Sequence, residues 1–368
     1  MRVLKIMVAT IISLVTIVIA LVIFLFAVSH GKALPFRDEN GEVVKGSISE
    51  KIFVNINGFN TGMFIKGIDS TKPVLLFIHG GPGMPEYAIS REYEQILEKH
   101  FVVCWPEQRG AGMSYNSEID ISSLTFETAI ADITTTAKYL KQRFGKDKIY
   151  LMAHSGGTFS AIQAADRAPE LFHVYIAVSQ ISNQLKSEKM AYKYMIEQFT
   201  EANDKKMLRK FSPFSPDNLD NPKYYVMRDA PMHKLGIGTT REMKSVVTGV
   251  FIPVMLCREY TLKEKINIWR GKYLITAKAG LWSKLVKTDL TQKVTELKIP
   301  IYFFGGKYDY TTSSSLAREY FMQIEAPLKG FYTFENSAHS PIFEEPLKAE
   351  DIIVKDVLNN ELKHADQK

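Results

Sequence analysis

Lys148-Ile149-Tyr150-Leu151-Met152-Ala153-His154-Ser155-Gly156-Gly157 reads as a buried strand ending in a tight turn, and Thr158 to Arg167 continues it as a helix. A serine at the apex of a strand-to-helix bend is presented as a nucleophile. Such a bend requires very small residues two positions before and two after the serine, because the helix and strand backbones pass close to each other there. Gly157 meets the second requirement fully, and Ala153 meets the first with one methyl group in place of glycine. Taken alone, the string is equally compatible with a glycine-rich helix start.

A second motif lies upstream. Val74-Leu75-Leu76-Phe77-Ile78 is an apolar run suited to a strand buried on both faces, and it empties into His79-Gly80-Gly81-Pro82-Gly83. A glycine turn at a strand end leaves backbone N–H groups uncovered, and these can point at a developing oxyanion. The donors predicted are Gly81 and Gly156. Two strand-end residues then follow in the order serine, acid, base. Ile299-Pro300-Ile301-Tyr302-Phe303-Phe304 leads to Asp309, and Gly330-Phe331-Tyr332-Thr333-Phe334 leads to His339. His339 is the candidate general base and Asp309 the acid that orients it. His79 reads as a loop prop, together with Gly80, Pro82 and Gly83, and His154 as a packing or loop-anchoring group. His30, His100, His173, His233 and His364 lie in no comparable context.

The glycine loop, Glu107-Gln108-Arg109-Gly110-Ala111-Gly112-Met113-Ser114, the Ser155 bend and the Asp309/His339 pair together resemble the proline iminopeptidase branch of the α/β-hydrolase superfamily, over roughly residues 50 to 360. The resemblance implies a mostly parallel eight-stranded sheet with helices on both faces and a helical cap inserted after strand 6. It also implies a serine hydrolase that removes an N-terminal residue, often proline, from small peptides. Two departures stand out. Ala153-His154-Ser155-Gly156-Gly157 replaces the family's Gly-Gly-Ser-Trp-Gly and is closer to esterase-like relatives, and Glu107 stands where the family has aspartate. Arg109 reads as a structural, loop-supporting residue. An aminopeptidase of this family binds the substrate ammonium through cap carboxylates, for which Glu188, Glu197, Glu201, Glu242 and Glu259 are the candidates. A carboxylesterase or lactonase acting on small molecules is the alternative, and a catalytically silent binding protein on the same scaffold is the rival from another class. Serine at the bend, where epoxide hydrolases and haloalkane dehalogenases of this fold carry a carboxylate, disfavours those activities.

The expected division is a short tail at 1–5, a transmembrane anchor at 6–28, a linker at 29–47, core at 48–180, a cap at 181–298 and core again at 299–368. The chain is uncharged from Ile6 to Val28, and 23 residues at about 1.5 Å each reach roughly 35 Å, enough to cross a hydrocarbon core. Cleavage near Ala27 or Ala33, which would make the stretch a signal peptide, is the alternative. Arg2 and Lys5 favour an extracytoplasmic catalytic domain. Gly46 to Asn57 and Thr61 to Ile68 read as a hairpin around Asn57-Gly58-Phe59-Asn60. Within the cap, helices are predicted over 188–200, 240–252, 261–274 and 279–287, with a break at Phe211-Ser212-Pro213-Phe214-Ser215-Pro216. The cap carries 22 Lys and Arg against 12 Asp and Glu, although the whole chain is only +6. No compact basic run or nucleic-acid motif accompanies that charge, so no nucleic-acid partner is expected, and no protein partner, metal or organic cofactor is predicted either. The two cysteines, Cys104 and Cys257, read as free thiols, with a disulfide as the alternative.

Overall fold

The computed structural model describes residues 2–217 and 223–366. Its centre is one eight-stranded sheet of β1 (Ile48–Ile56), β2 (Phe59–Gly67), β3 (Val74–Ile78), β4 (Val102–Pro106), β5 (Ile149–His154), β6 (Phe172–Val178), β7 (Ile301–Gly306) and β8 (Lys329–Phe334). The order is β1-β2-β4-β3-β5-β6-β7-β8, antiparallel from β1 through β4 and parallel from there on. This is the α/β-hydrolase architecture expected from the sequence. Asn57 and Gly58 both take positive φ, so β1 and β2 are joined by a two-residue turn whose twist matches the strands.

Alternation along the central strands divides the core into two layers. Val74, Leu76 and Ile78 of β3 face one layer with Ile149, Leu151 and Ala153 of β5, while Leu75, Phe77 and Met152 face the other. Helices Phe126–Phe144, Gly156–Arg167 and Ser314–Gln323 cover the first face, and Ile96–His100 and Pro346–Lys355 cover the second. The helix at 126–144 starts where the Thr125 hydroxyl accepts the Thr128 N–H at 3.0 Å, and it stops at Gly145 in the left-handed conformation.

The chain between β6 and β7 forms the cap. It contains helices Gln184–Glu201, Lys205–Phe211, Lys223–Leu235, Ile252–Leu256, Leu262–Tyr273 and Leu281–Val286. The first three share a small core of Ala191, Met195, Phe199, Phe211, Tyr224 and Met232. The helices at 205–211 and 223–235 were not expected; the second carries Pro231 in its interior, the residue that argues most strongly against helix in a sequence reading. The helix expected over 240–252 begins later, because Ser245 Oγ accepts the Thr248 N–H at 3.1 Å and starts a wide turn at Val247–Phe251.

The amino-terminal helix spans Arg2–Ala27, and its stretch Val3–Ala27 has a mean hydropathy of 3.0 and no burial against the domain. It is long and apolar enough to cross a membrane. Residues 29–47 do not run freely between helix and domain. Gly31 N–H donates to Arg258 O at 3.1 Å and Leu34 N–H to Glu259 Oε1 at 2.6 Å, which seats the segment on the cap. Cys104 is buried on β4, Cys257 lies in the cap, and both are unpaired thiols.

Candidate active site

The strand order brings the site together. β3 lies between β4 and β5, so the sheet reverses direction of growth there, and a crevice opens at the carboxyl ends of β3 and β5. Ile78 pairs with Ala153, which puts the glycine loop after β3 beside the bend after β5. At the bend Ser155 takes φ 53° and ψ −127°, a conformation rare outside glycine. A side chain on Gly157 would lie 2.5 Å from the carbonyl oxygens of both Ile78 and His79, and one on Gly156 would lie 2.9 Å from Gly81. Alanine at 153 is accommodated, fully buried.

Asp309 and His339 follow β7 and β8 at the same edge. His339 Nε2 is 2.7 Å from Ser155 Oγ, and His339 Nδ1 is 3.0 Å from Asp309 Oδ2. The Asp309 carboxylate also accepts the Thr311 N–H at 2.8 Å, the Thr312 N–H at 3.0 Å and the Thr312 hydroxyl at 2.8 Å. Burial alone would raise its pKa. The His339 charge and these hydrogen bonds outweigh burial and hold it well below the usual carboxylate range. A carboxylate kept ionised in this position fixes the imidazole with Nδ1 protonated and Nε2 free to take the serine proton.

The loop 79–83 is braced from several sides. His79 Nδ1 lies 3.0 Å from Gly80 O, and its Nε2 accepts the Gln108 N–H at 3.0 Å, so the ring is a neutral donor–acceptor. Gln108 returns an Nε2 hydrogen bond to His79 O and accepts the Gly83 N–H, both at 3.0 Å. Gly81 has φ +116° and precedes Pro82 through a cis peptide bond. Neither the Gly81 nor the Gly156 N–H donates to a group among the described residues. Arg109 stands apart from this loop. It pairs with Asp132 through two 3.0 Å hydrogen bonds and lies over the Phe59 ring, tying the loop after β4 to the helix at 126–144 and to the hairpin. Glu107 is buried and accepts from Tyr260 Oη and Met113 N, and burial pushes its carboxyl up to about 8.

Two carboxylates that the sequence reading passed over hold the loops of the candidate site. Glu86 Oε1 accepts the Gly80 N–H at 2.8 Å, and its Oε2 is 2.9 Å from His154 Nδ1. His154 Nε2 reaches His339 O at 2.8 Å, which also accepts from Ser179 Oγ at 2.8 Å. Both ring nitrogens of His154 face acceptors only, so the ring is an imidazolium paired with the Glu86 carboxylate. Burial opposes both charges, but their mutual attraction wins: the His154 pKa is raised and that of Glu86 lowered. Glu344 accepts the Ala338 N–H at 2.9 Å and the Ser340 N–H at 3.2 Å, clasping the residues on either side of His339.

The cap closes over Ser155 and leaves a cavity of about 980 Å³, its open mouth included. Gly81, Ser155 and His339 line its base, and Arg228, Asp229, His233 and Lys272 enter from the cap. None of the five candidate glutamates for an ammonium lines it. Glu188 is buried inside the cap against Arg228, Gln184 and Tyr224. Glu259 is buried against Lys66, Tyr87 and Leu34 N, and Glu197, Glu201 and Glu242 lie on the exposed surface. The cap carboxylate in the cavity is Asp229. His233, which its sequence context did not single out, is on the cavity wall, with Nε2 3.2 Å from Thr239 Oγ1. Among the described residues no group of three or more His, Cys, Asp or Glu could hold a metal ion.

Residues 73–221 match the family described as alpha/beta hydrolase fold. The chain is similar to the probable aminopeptidase YbaC of Bacillus subtilis, 31% identical over 304 residues that cover 82% of this chain and 94% of the relative. It is also similar to a proline iminopeptidase of Saccharolobus solfataricus, 25% identical over 83% of this chain and 91% of that one. Among solved structures, the proline iminopeptidase of Mycobacterium smegmatis superposes with a TM-score of 0.60 at 14% identity, covering 84% of this chain and 98% of that chain. The chain is a hydrolase and belongs to the proline iminopeptidase-like branch of the α/β-hydrolase superfamily.

Proposed function

We propose that the protein is a membrane-anchored serine aminopeptidase of short peptides. The observation that carries this reading is the continuous hydrogen-bonded chain Ser155 Oγ, His339, Asp309 at a strained bend under a cap. Ser155 attacks the carbonyl carbon of the substrate's N-terminal residue as His339 Nε2 takes its proton. The Gly81 and Gly156 N–H groups hold the oxyanion, and His339 protonates the leaving amine. Water, activated by His339 in turn, hydrolyses the acyl-enzyme and frees Ser155. Asp229, at the cavity wall, receives the substrate ammonium. The apolar helix at 2–27 supports anchorage, with the amino terminus inside and the catalytic domain outside.

The test is hydrolysis of proline and alanine arylamides, with free and with blocked amines, beside short acyl esters, by the full chain and by Ser155→Ala. Cleavage of free-amine arylamides, lost in the variant, is expected. A second reading, a small-molecule ester hydrolase, is favoured by one observation: the five candidate glutamates of the cap all lie outside the cavity. Ser155-dependent cleavage of esters alone would establish that reading and overturn the first.

A further inference from the structure

The cavity above Ser155 holds one cation and further N–H groups that are unsatisfied among the described residues. Lys272 Nζ makes no hydrogen bond or ion pair among the described residues. Arg228 binds Glu188 through Nη1, but its buried Nε has no hydrogen-bond acceptor among the described residues, and Asp229 Oδ1 is 3.6 Å away. His233 Nδ1 on the same wall is also buried and unpartnered. Burial penalises the lone ammonium and lowers the Lys272 pKa. An unpaired cation and an orphaned guanidinium N–H beside a nucleophile are the two halves of a carboxylate-binding site, since a carboxylate satisfies both through charge-assisted hydrogen bonds.

We propose that Lys272 and Arg228 bind the α-carboxylate of the leaving fragment, so that the enzyme selects dipeptides and tripeptides with a free carboxyl terminus. This rests on the peptidase reading and deepens it. Asp229 takes the ammonium and Lys272 the carboxylate, which makes the cavity complementary to a small zwitterion. A cavity of about 980 Å³, its mouth included, has room for a peptide of two or three residues beside Ser155.

The experiment compares kcat/KM for Pro-Ala and for its carboxamide, using the full chain, Lys272→Met and Lys272→Arg. The expected result is a preference of about tenfold or more for the free acid, lost in Lys272→Met and partly restored in Lys272→Arg, with carboxamide cleavage falling far less than cleavage of the acid. Equal rates on acid and amide in the unsubstituted enzyme, or a parallel loss on both in Lys272→Met, overturns the subsite. Ligand-observed NMR on Ser155→Ala, with N-acetylalanine and its carboxamide as probes, separates this from a failure of the peptidase reading. Selective contact with the acid, lost on Lys272→Met, upholds the subsite even if no peptide is cleaved, and equal contact with both probes overturns it.

A separate observation concerns the cap's outer face. Lys265 Nζ donates to Val28 O at 3.5 Å, Ser29 Oγ at 2.8 Å and Met255 O at 2.7 Å, so one ammonium joins the end of the apolar helix to the cap. Beside that junction Val247, Phe251, Ile252 and Leu256 are 42–59% exposed, while Val250 and Val254 between them are buried. Their spacing puts the exposed four on one face. Val246 and Val250 of the same segment line the catalytic cavity. We infer that this face rests in the headgroup region of the bilayer into which the anchor inserts, so the cavity is walled by a membrane-contacting element. The inference depends on the anchor being retained.

Benzoylphenylalanine placed at Phe251, at Ile17 in the anchor or at the exposed Met322 far from the junction, in full-length protein in phosphatidylcholine and phosphatidylglycerol vesicles, tests it. Lipid crosslinking from positions 251 and 17 but not from 322 is expected. Crosslinking from 17 alone overturns the cap-face inference and leaves the anchor standing, and no crosslinking from 17 overturns both.

Discussion

Replacing Glu86 by glutamine tests the reading of His154 as a charged residue. The imidazolium ring centre is 5.0 Å from that of His339, and the Glu86 oxygen lies 2.9 Å beyond His154 Nδ1. With an effective dielectric constant of about 20, two unit charges about 4 Å apart attract by about 4 kcal/mol, so the pair keeps both charges in spite of burial. Glutamine keeps the connectivity in neutral form: its oxygen accepts the Gly80 N–H, its amide donates to an unprotonated Nδ1, and His154 Nε2 still donates to His339 O. The variant should therefore fold at a cost of about 1 kcal/mol, whereas Glu86→Ala, which strands Gly80 N–H and His154, should cost about 3. In histidine NMR spectra recorded across pH, the His154 ring of the unsubstituted protein should lose its proton above pH 6.5, and Glu86→Gln should move that titration down. A His154 ring that titrates below pH 6.5 in the unsubstituted protein, or does not respond to the substitution with the fold intact, would refute the charged assignment. Stability has its own sign: the lowered Glu86 pKa contributes above about pH 4.5 and is lost as pH falls through the folded value. The raised His154 pKa contributes below about pH 6.5 and is lost as pH rises through its folded value, so the pair's contribution is complete between the two.

Asp309→Asn should reduce kcat by about 10⁴ with little change in the fold, measured against Ser155→Ala on the same substrate. Gly157→Ala should fail to give soluble enzyme or lower its melting temperature sharply, because the new methyl group meets two carbonyl oxygens at 2.5 Å, whereas Ala153→Gly should be tolerated. Glu107, with a carboxyl pushed up to about 8, binds a proton in the native state that the unfolded chain has released; unsubstituted protein should therefore lose stability as pH rises from about 4.5 to 8, and Glu107→Gln should flatten that slope in denaturant titrations at pH 5 and pH 8. Gln108→Leu removes both the bond to His79 O and the acceptor for Gly83 N–H, and should lower kcat/KM by about tenfold or more while thermal unfolding moves little.

The three residues that the candidate site brings together were legible because each is set by its immediate neighbours. Ser155, Asp309 and His339 stand just past apolar runs that become β5, β7 and β8, and the carboxyl edge of a parallel sheet gathers whatever follows those strands. The supporting groups obey a different logic. Glu86 reads as one exposed acid among many until the Gly80 N–H and His154 arrive from two other segments, and Glu344 until the loop around His339 folds onto it. The cap is harder still, since its helix with Pro231 at the interior is held by Ala191, Met195, Phe199 and Phe211 of two other helices rather than by its own pattern. Chemistry here is encoded locally and selectivity by long-range packing. A chain of this fold can therefore keep its serine, acid and base while a single cap residue such as Lys272 or Asp229 changes what enters the cavity, and for that reason the motifs that identify the family leave the substrate to be decided by the cap.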